Sequence, residues 1–156
     1  MTFLIHHAAA LPPDVDHMRP LSSLGRGQAE RVASAVHARG VRPATIWHSG
    51  KLRAKQTAEI CWRTLNPLAT FAIARGLQPD DDPEVMWAAL NAHGDETADR
   101  HGAHGVLIAG HMPHLSRLLH RLTTGQRDGA TSPFPLHGCV ALERVGERWE
   151  EKWRVE

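Results

Sequence analysis

Apolar positions along this chain fall in two registers. Short, nearly continuous apolar runs at residues 2–8, 45–48, 70–73 and 105–109 read as strands buried on both faces. Between them, apolar residues recur every three to four positions, the spacing of a helix with one buried face. Leu24, Ala29, Val32, Ala33 and Val36 predict a first helix, capped by Ser22 or Ser23 and stopped by Gly40. Residues 51–65 predict a second, ended by Asn66-Pro67, and residues 84–92 a short third with Val85, Met86, Ala89 and Leu90 inward. A fourth is expected over residues 114–123, with Leu115, Leu118, Leu119 and Leu122 inward and Gly125 closing it. Residues 139–145 and 149–155 read as a hairpin turning at Gly146-Glu147, with Trp149, Glu151 and Trp153 sharing one face of its last strand. Residues 11–20 loop over the end of the first strand, residues 79–83 form an acidic turn, and residues 93–104 are ambiguous, with residues 97–100 readable as a helix extension beneath the fourth strand. Strands alternating with helices predict an α/β fold: a mostly parallel central sheet flanked by helices on both faces, with the terminal hairpin as an antiparallel edge.

The 156 residues suit a single domain, expected to span residues 1–156. Eighteen Lys and Arg nearly balance seventeen Asp and Glu, so no broad basic field for nucleic acid or an anionic membrane is expected, and any positive potential must be local. No apolar run approaches the ~20 residues that span a bilayer, and the opening residues lack the basic start of a signal peptide, so a soluble, cytoplasmic protein is expected. Cys61 and Cys139 lie in apolar contexts without metal or redox spacing and read as buried free thiols.

The chemistry gathers at three strand ends. The first strand runs into His6-His7-Ala8, the second into Ser49-Gly50-Lys51-Leu52-Arg53-Ala54-Lys55-Gln56-Thr57-Ala58, and the fourth into Gly110-His111-Met112-Pro113. In open α/β sheets ligands bind outside the carboxyl ends of strands, so imidazole and guanidinium groups at three such ends imply one anion pocket, suited to phosphate.

These segments, in this order, resemble the histidine phosphatase superfamily, which includes the phosphoglycerate mutases. Its members open with Leu-x-Arg-His-Gly, continue with Ser-x-x-x-Arg-Ala-x-Gln-Thr-Ala and close with Gly-His-x-Pro. The chain also carries Arg19-Pro20-Leu21-Ser22-Ser23-Leu24-Gly25 where small members have Arg-Pro-Leu-Thr-x-x-Gly. Order, spacing and length look most like the compact phosphohistidine phosphatase group, over residues 2–155. The resemblance implies His7 as nucleophile, with Arg53 and His111 catalytic and His6, Arg53, His111, Ser49 and Arg19 around the phosphate. Ser49 is equally readable as the cap of the second helix, and Arg19 as a surface residue.

The first motif is altered. His6 and Ala8 stand where the family has Arg and Gly, so fold and activity are argued separately. An imidazole in place of a guanidinium loses a planar, permanently charged, five-donor group, and gains charge only as pH falls toward about 6. One charge-assisted hydrogen bond is worth roughly 1.5–3 kcal/mol, a loss of about 10- to 150-fold in rate if it vanishes from the transition state.

The expected activity is therefore hydrolysis of phosphohistidine or a related small phosphate through a phosphorylated His7, without cofactor. The alternative is a catalytically weak or silent phospho-ligand binding module of the same fold. A mutase is disfavoured by the short chain. The expected partner is a phosphorylated histidine protein or a small phosphorylated molecule, and the expected state a monomer or weak homodimer. Asp80, Asp81, Asp82 and Glu84 fall near the family's acidic residue, but read better as a solvated helix start. Among twelve histidines, the pairs His101/His104 and His111/His114 have ligand-like separations, yet no third ligand follows from spacing and no metal is expected.

Overall fold

The computed structural model of the protein describes residues 1–93 and 102–156. Ten elements follow in chain order: β1 (Thr2–His6), α1 (Ser23–His37), β2 (Thr45–His48), α2 (Leu52–Leu65), β3 (Thr70–Ile73), α3 (Pro83–His93), β4 (Val106–Gly110), α4 (His114–Thr124), β5 (Cys139–Val145) and β6 (Arg148–Val155). The expected extension over residues 97–100, and the pairing of His101 with His104, lie outside the described residues. The strands form one sheet in the order β3-β2-β4-β1-β5-β6. β3, β2, β4 and β1 run parallel, while β5 is antiparallel to β1 and to β6. This is the mostly parallel α/β sheet with an antiparallel edge that the alternation of elements predicts.

Alternation along the central strands assigns the two faces. Phe3 and Ile5 of β1, with Leu107 and Ala109 of β4, pack against Val32, Ala33 and Val36 of α1 and Ala58, Cys61 and Leu65 of α2. Leu4, Val106 and Ile108 point the other way, onto Met86 and Leu90 of α3 and the four leucines of α4. Because both faces are covered, β1 and β4 read as unbroken apolar runs. Ser22 caps α1 by accepting from the Gly25 N–H at 3.0 Å, and Gly125 closes α4 in a left-handed conformation with φ 76°.

Three expectations about side-chain direction are corrected. Leu24 is exposed, because buried Gly25 instead brings α1 against Ala9, where a Cβ would lie 1.8 Å from the carbonyl oxygen. Val85 is also exposed, leaving Met86 and Leu90 as the buried residues of α3. Trp149 and Trp153 do not share a face. The register of β5 with β6 shifts between Ala141, opposite Trp153, and Leu142, opposite Glu151. Lys152 is the extra residue of a bulge, which reverses the alternation. Trp149 consequently joins the α3/α4 side of the core, while Trp153 packs beside Phe3 on the α1/α2 side at a ring separation of 6.0 Å.

The parallel strands end together. His6 pairs with Gly110, and β2 finishes beside β4 with His48 opposite Ala109. β5 runs in the opposite sense, so its first residues lie at this same end: Cys139 pairs with Ile5, and the His6 N–H donates to the Gly138 carbonyl at 3.0 Å.

Candidate active site

Just beyond β1, the His7 N–H donates to the Gly110 carbonyl at 3.1 Å, which ties the residue after β1 to the end of β4. The His7 ring is fixed at both nitrogens. Nδ1 lies 2.8 Å from the Ala8 carbonyl, which can only accept, so the ring proton sits on Nδ1. Nε2 accepts from Arg53 Nε at 3.2 Å, so its lone pair faces the guanidinium. Burial is the main cause that pushes the His7 imidazole down to about 4, with the Arg53 charge adding to it and the Ala8 carbonyl opposing it. A neutral imidazole with a directed Nε2 lone pair is the form that attacks phosphorus.

Ala8 costs the loop nothing. Its φ is not positive, its N–H donates to Thr57 Oγ1 at 3.1 Å, and its methyl group packs with Leu21 and Ala29. Thr57 in turn donates to the Arg53 carbonyl at 2.8 Å, so α2 holds the His7-Ala8 peptide and Arg53 in one frame.

Arg53 is the second residue of α2. Burial, followed by repulsion from Arg19, lowers its pKa from the usual guanidinium value. Arg19 therefore reaches the site through its field. It sits at a left-handed φ of 51° with Nε donating to the Leu11 carbonyl at 3.3 Å, on the loop over β1. His111 follows β4, is buried, and lies 5.0 Å from the His7 ring centroid to centroid. Its Nε2 is 2.6 Å from Ser49 Oγ, while its Nδ1 is buried without a partner among the described residues. Desolvation pushes it down to about 2, with His7 and Arg53 next in size. Ser49 Oγ thus meets His111 and also accepts the Lys51 N–H at 3.4 Å. It does not cap α2, whose N-cap is Lys51 without a side-chain bond.

His6 departs from the sequence expectation. It is buried with its ring 4.6 Å from that of His7, and Nδ1 accepts the main-chain N–H of His137 at 3.1 Å. Desolvation first, then the neighbouring His7, His137 and Arg53, push it down to about 3. The gain of charge expected near pH 6 is therefore absent from the ligand-free protein. His137 was not singled out by its sequence context. It stands at φ 56°, stacks on His6 with ring centroids 5.1 Å apart and planes 9° apart, and its Nδ1–H donates to the His7 carbonyl at 2.7 Å. The usable signal was topological: the start of an antiparallel strand beside β1 must lie where β1 ends.

The acidic residues sit on a segment that Gln78 ties to the site, its Nε2 donating to the Ser49 carbonyl at 2.7 Å. Asp82 Oδ1 accepts the Glu84 N–H at 3.0 Å at the start of α3, and Glu84 pairs with Arg121 and Arg127. Asp81 accepts the Gln78 N–H at 2.8 Å. Among the described residues no group of three or more His, Cys, Asp or Glu is arranged to hold a metal ion, and no helix is long and apolar enough to cross a membrane.

A strand-end cluster of neutral imidazoles around one guanidinium is the setting in which comparison with known proteins becomes informative. Residues 15–78 match the model of the histidine phosphatase superfamily, branch 1. Over these residues, less than half of the chain, it is similar to that superfamily. That match holds Arg19, Ser49 and Arg53, while His7 and His111 lie on either side of it. The chain is 29% identical over 146 residues to the phosphohistidine phosphatase SixA of Escherichia coli strain K12, covering 93% of this chain and 85% of the relative. Among solved structures, it superposes on the protein histidine phosphatase SixA complexed with tungstate with a TM-score of 0.82 and 23% identity, covering 98% of this chain and 94% of the other. A putative phosphohistidine phosphatase SixA from Agrobacterium tumefaciens gives a TM-score of 0.76 at 22% identity, covering 99% and 96%. These superpositions establish the fold.

Proposed function

We propose that the protein is a phosphatase that hydrolyses phosphohistidine, or a related small phosphate, through a phosphorylated His7. The observation that carries this reading is the His7 ring itself, with Nδ1–H spent on Ala8 and the Nε2 lone pair directed at Arg53. In the first step, Nε2 attacks phosphorus in line and the bond from phosphorus to the substrate nitrogen breaks. The electron pair leaves on that nitrogen, whose imidazole needs little protonation beyond its own ring. Water then attacks the phosphorylated His7, releasing phosphate and regenerating the ring. Arg53 gives up its bond to Nε2 as phosphate enters and turns its fork to the oxygens, where charge spreads in the transition state. His111, held by Ser49, supplies a second donor, and Arg19 adds long-range positive potential.

The similarity to SixA supports a phosphohistidine-bearing protein as substrate, and the two buried, unpaired thiols fit a cytoplasmic setting. The protein acts in this reading as one domain, monomeric or weakly dimeric. Incubation with a labelled phosphohistidine peptide should release phosphate and leave acid-labile label on the protein, both lost in His7→Ala. Full activity in His7→Ala would end the assignment. The second reading, a silent binding module, is favoured by one observation: no permanent charge stands at position 6. It predicts saturable tungstate binding with neither turnover nor label.

A further inference from the structure

Two contacts from His137 close on the site from a segment remote in sequence: its main-chain N–H onto His6 Nδ1, and its ring Nδ1–H onto the carbonyl of His7. We propose that His137 is a positioning residue that holds His6 as the neutral tautomer protonated on Nε2, so that the His6–His137 pair gives the phosphoryl oxygens a fixed, uncharged donor in place of a guanidinium. The proposal rests on the phosphatase reading for its role, and on geometry alone for the tautomer.

The geometric argument is direct. A main-chain N–H can only donate, so a ring nitrogen 3.1 Å from it must present a lone pair, and the single proton of His6 then sits on Nε2. Charging His6 would place a proton on Nδ1 facing that N–H and break the bond. The groups around His6 add to the penalty. His7 lies beside it on β1, His137 stacks on it from the segment before β5, and Arg53 of α2 and His111 after β4 complete a surround with no carboxylate among the groups that shift it. The low pKa of His6 agrees with this arrangement.

His137 is built to hold this position. Its left-handed φ of 56° is uncommon for a residue with a Cβ, and it is fixed by the two hydrogen bonds and by the Gly138 N–H donating to Pro135 at 3.2 Å. Such conformations persist where the surroundings over-determine them, and they gather at functional sites. By bonding the His7 carbonyl as well, His137 sets the spacing between the residue at position 6 and the nucleophile.

The test compares the full-length protein with His137→Gly and His137→Asn. Both replacements accept a left-handed φ, and Asn can also donate from its side chain to His7. Ring ¹⁵N shifts of His6 from about pH 5 to 8 report the tautomer, and rates with a phosphohistidine peptide report its use. The expected result is an Nε2–H His6 that does not titrate in the native protein. His137→Gly keeps the main-chain N–H but frees the segment from the His7 carbonyl, so His6 should lose its fixed tautomer and kcat should fall about tenfold with KM little changed, as for one lost donor bond. His137→Asn, which keeps the main-chain N–H and can donate to the His7 carbonyl, should restore the Nε2–H tautomer and most of the rate. An Nδ1–H tautomer in the native protein overturns the proposal, as does a His137→Gly variant with unaltered tautomer and rate, or an Asn variant that recovers the melting temperature but neither tautomer nor rate. If the native protein turns over nothing, the phosphatase reading fails by itself. The His6 shifts, read with and without tungstate, still decide the tautomer and whether Nε2–H meets the anion.

Discussion

Replacing Arg53 by alanine removes two things of opposite effect: the donor that occupies the His7 lone pair, and the fork that would grip an oxyanion. The second dominates for ligand binding, since a guanidinium bond to an anion is worth roughly 1.5–3 kcal/mol. Arg53→Ala should weaken tungstate binding about 10- to 150-fold in a calorimetric titration. Arg53→Lys, which keeps charge without the planar fork, should recover only part of it. A dissociation constant unmoved by either change would place the anion elsewhere. At this scale, His7, Arg53 and His111 are legible in the sequence because each follows an apolar run at a strand's carboxyl end, where the motif order also points. His137 is not, because Pro135-Leu136-His137-Gly138 carries no periodicity, and its importance comes from where an antiparallel strand starts. The true state of His6 was hidden for a related reason. Its depressed basicity depends on burial and on a main-chain donor 131 residues away, neither of which its neighbours in sequence reveal.

Among the elements, the bounds of helices and strands are readable to within a residue or two, the last strand's included, but the facing of its side chains is not. Apolar spacing alone puts Trp149 and Trp153 together. One inserted residue separates them, and a bulge leaves no mark in a pattern of period two. Deleting Lys152 should restore unbroken alternation and force one of the two tryptophans out of its core. The expected cost is about 3 kcal/mol or more, by analogy with removing a buried aromatic side chain. Thermal unfolding would measure it. A melting temperature within a degree of the parent would mean that the bulge relocates freely and does not fix the register. The same edge matters to the site, because β5 is the strand that delivers His137.

The molecule as a whole keeps several imidazoles neutral, and this has a consequence for its stability. His6, His111 and His114 are buried, and each is pushed below the ordinary value of 6.5, to about 3, 2 and 4. The unfolded chain binds protons at these residues from about 6.5 downward, whereas the folded chain does not until pH reaches the lowered values. Stability is therefore full above about pH 7 and falls as pH drops through that window. At about pH 5.5 the loss reaches about 1.4 kcal/mol per histidine, before any change in the core itself. Denaturant titrations at pH 7.5 and 5.5 should differ by about 4 kcal/mol. Equal midpoints would show that these rings are protonated in place.

The position of β1 between β4 and β5 also bears on how the protein is made. The proposed nucleophile follows β1 directly, yet both neighbours of that strand come late in the chain, and the contacts that close on His6 and His7 reach across 131 and 130 residues. Through most of translation β1 has no partner on either edge. A chain still on the ribosome with its last hairpin in the exit tunnel carries His7 without the segment that orients it. In the proposed reading, the site is therefore assembled only once β5 and the segment before it have emerged to pair with β1.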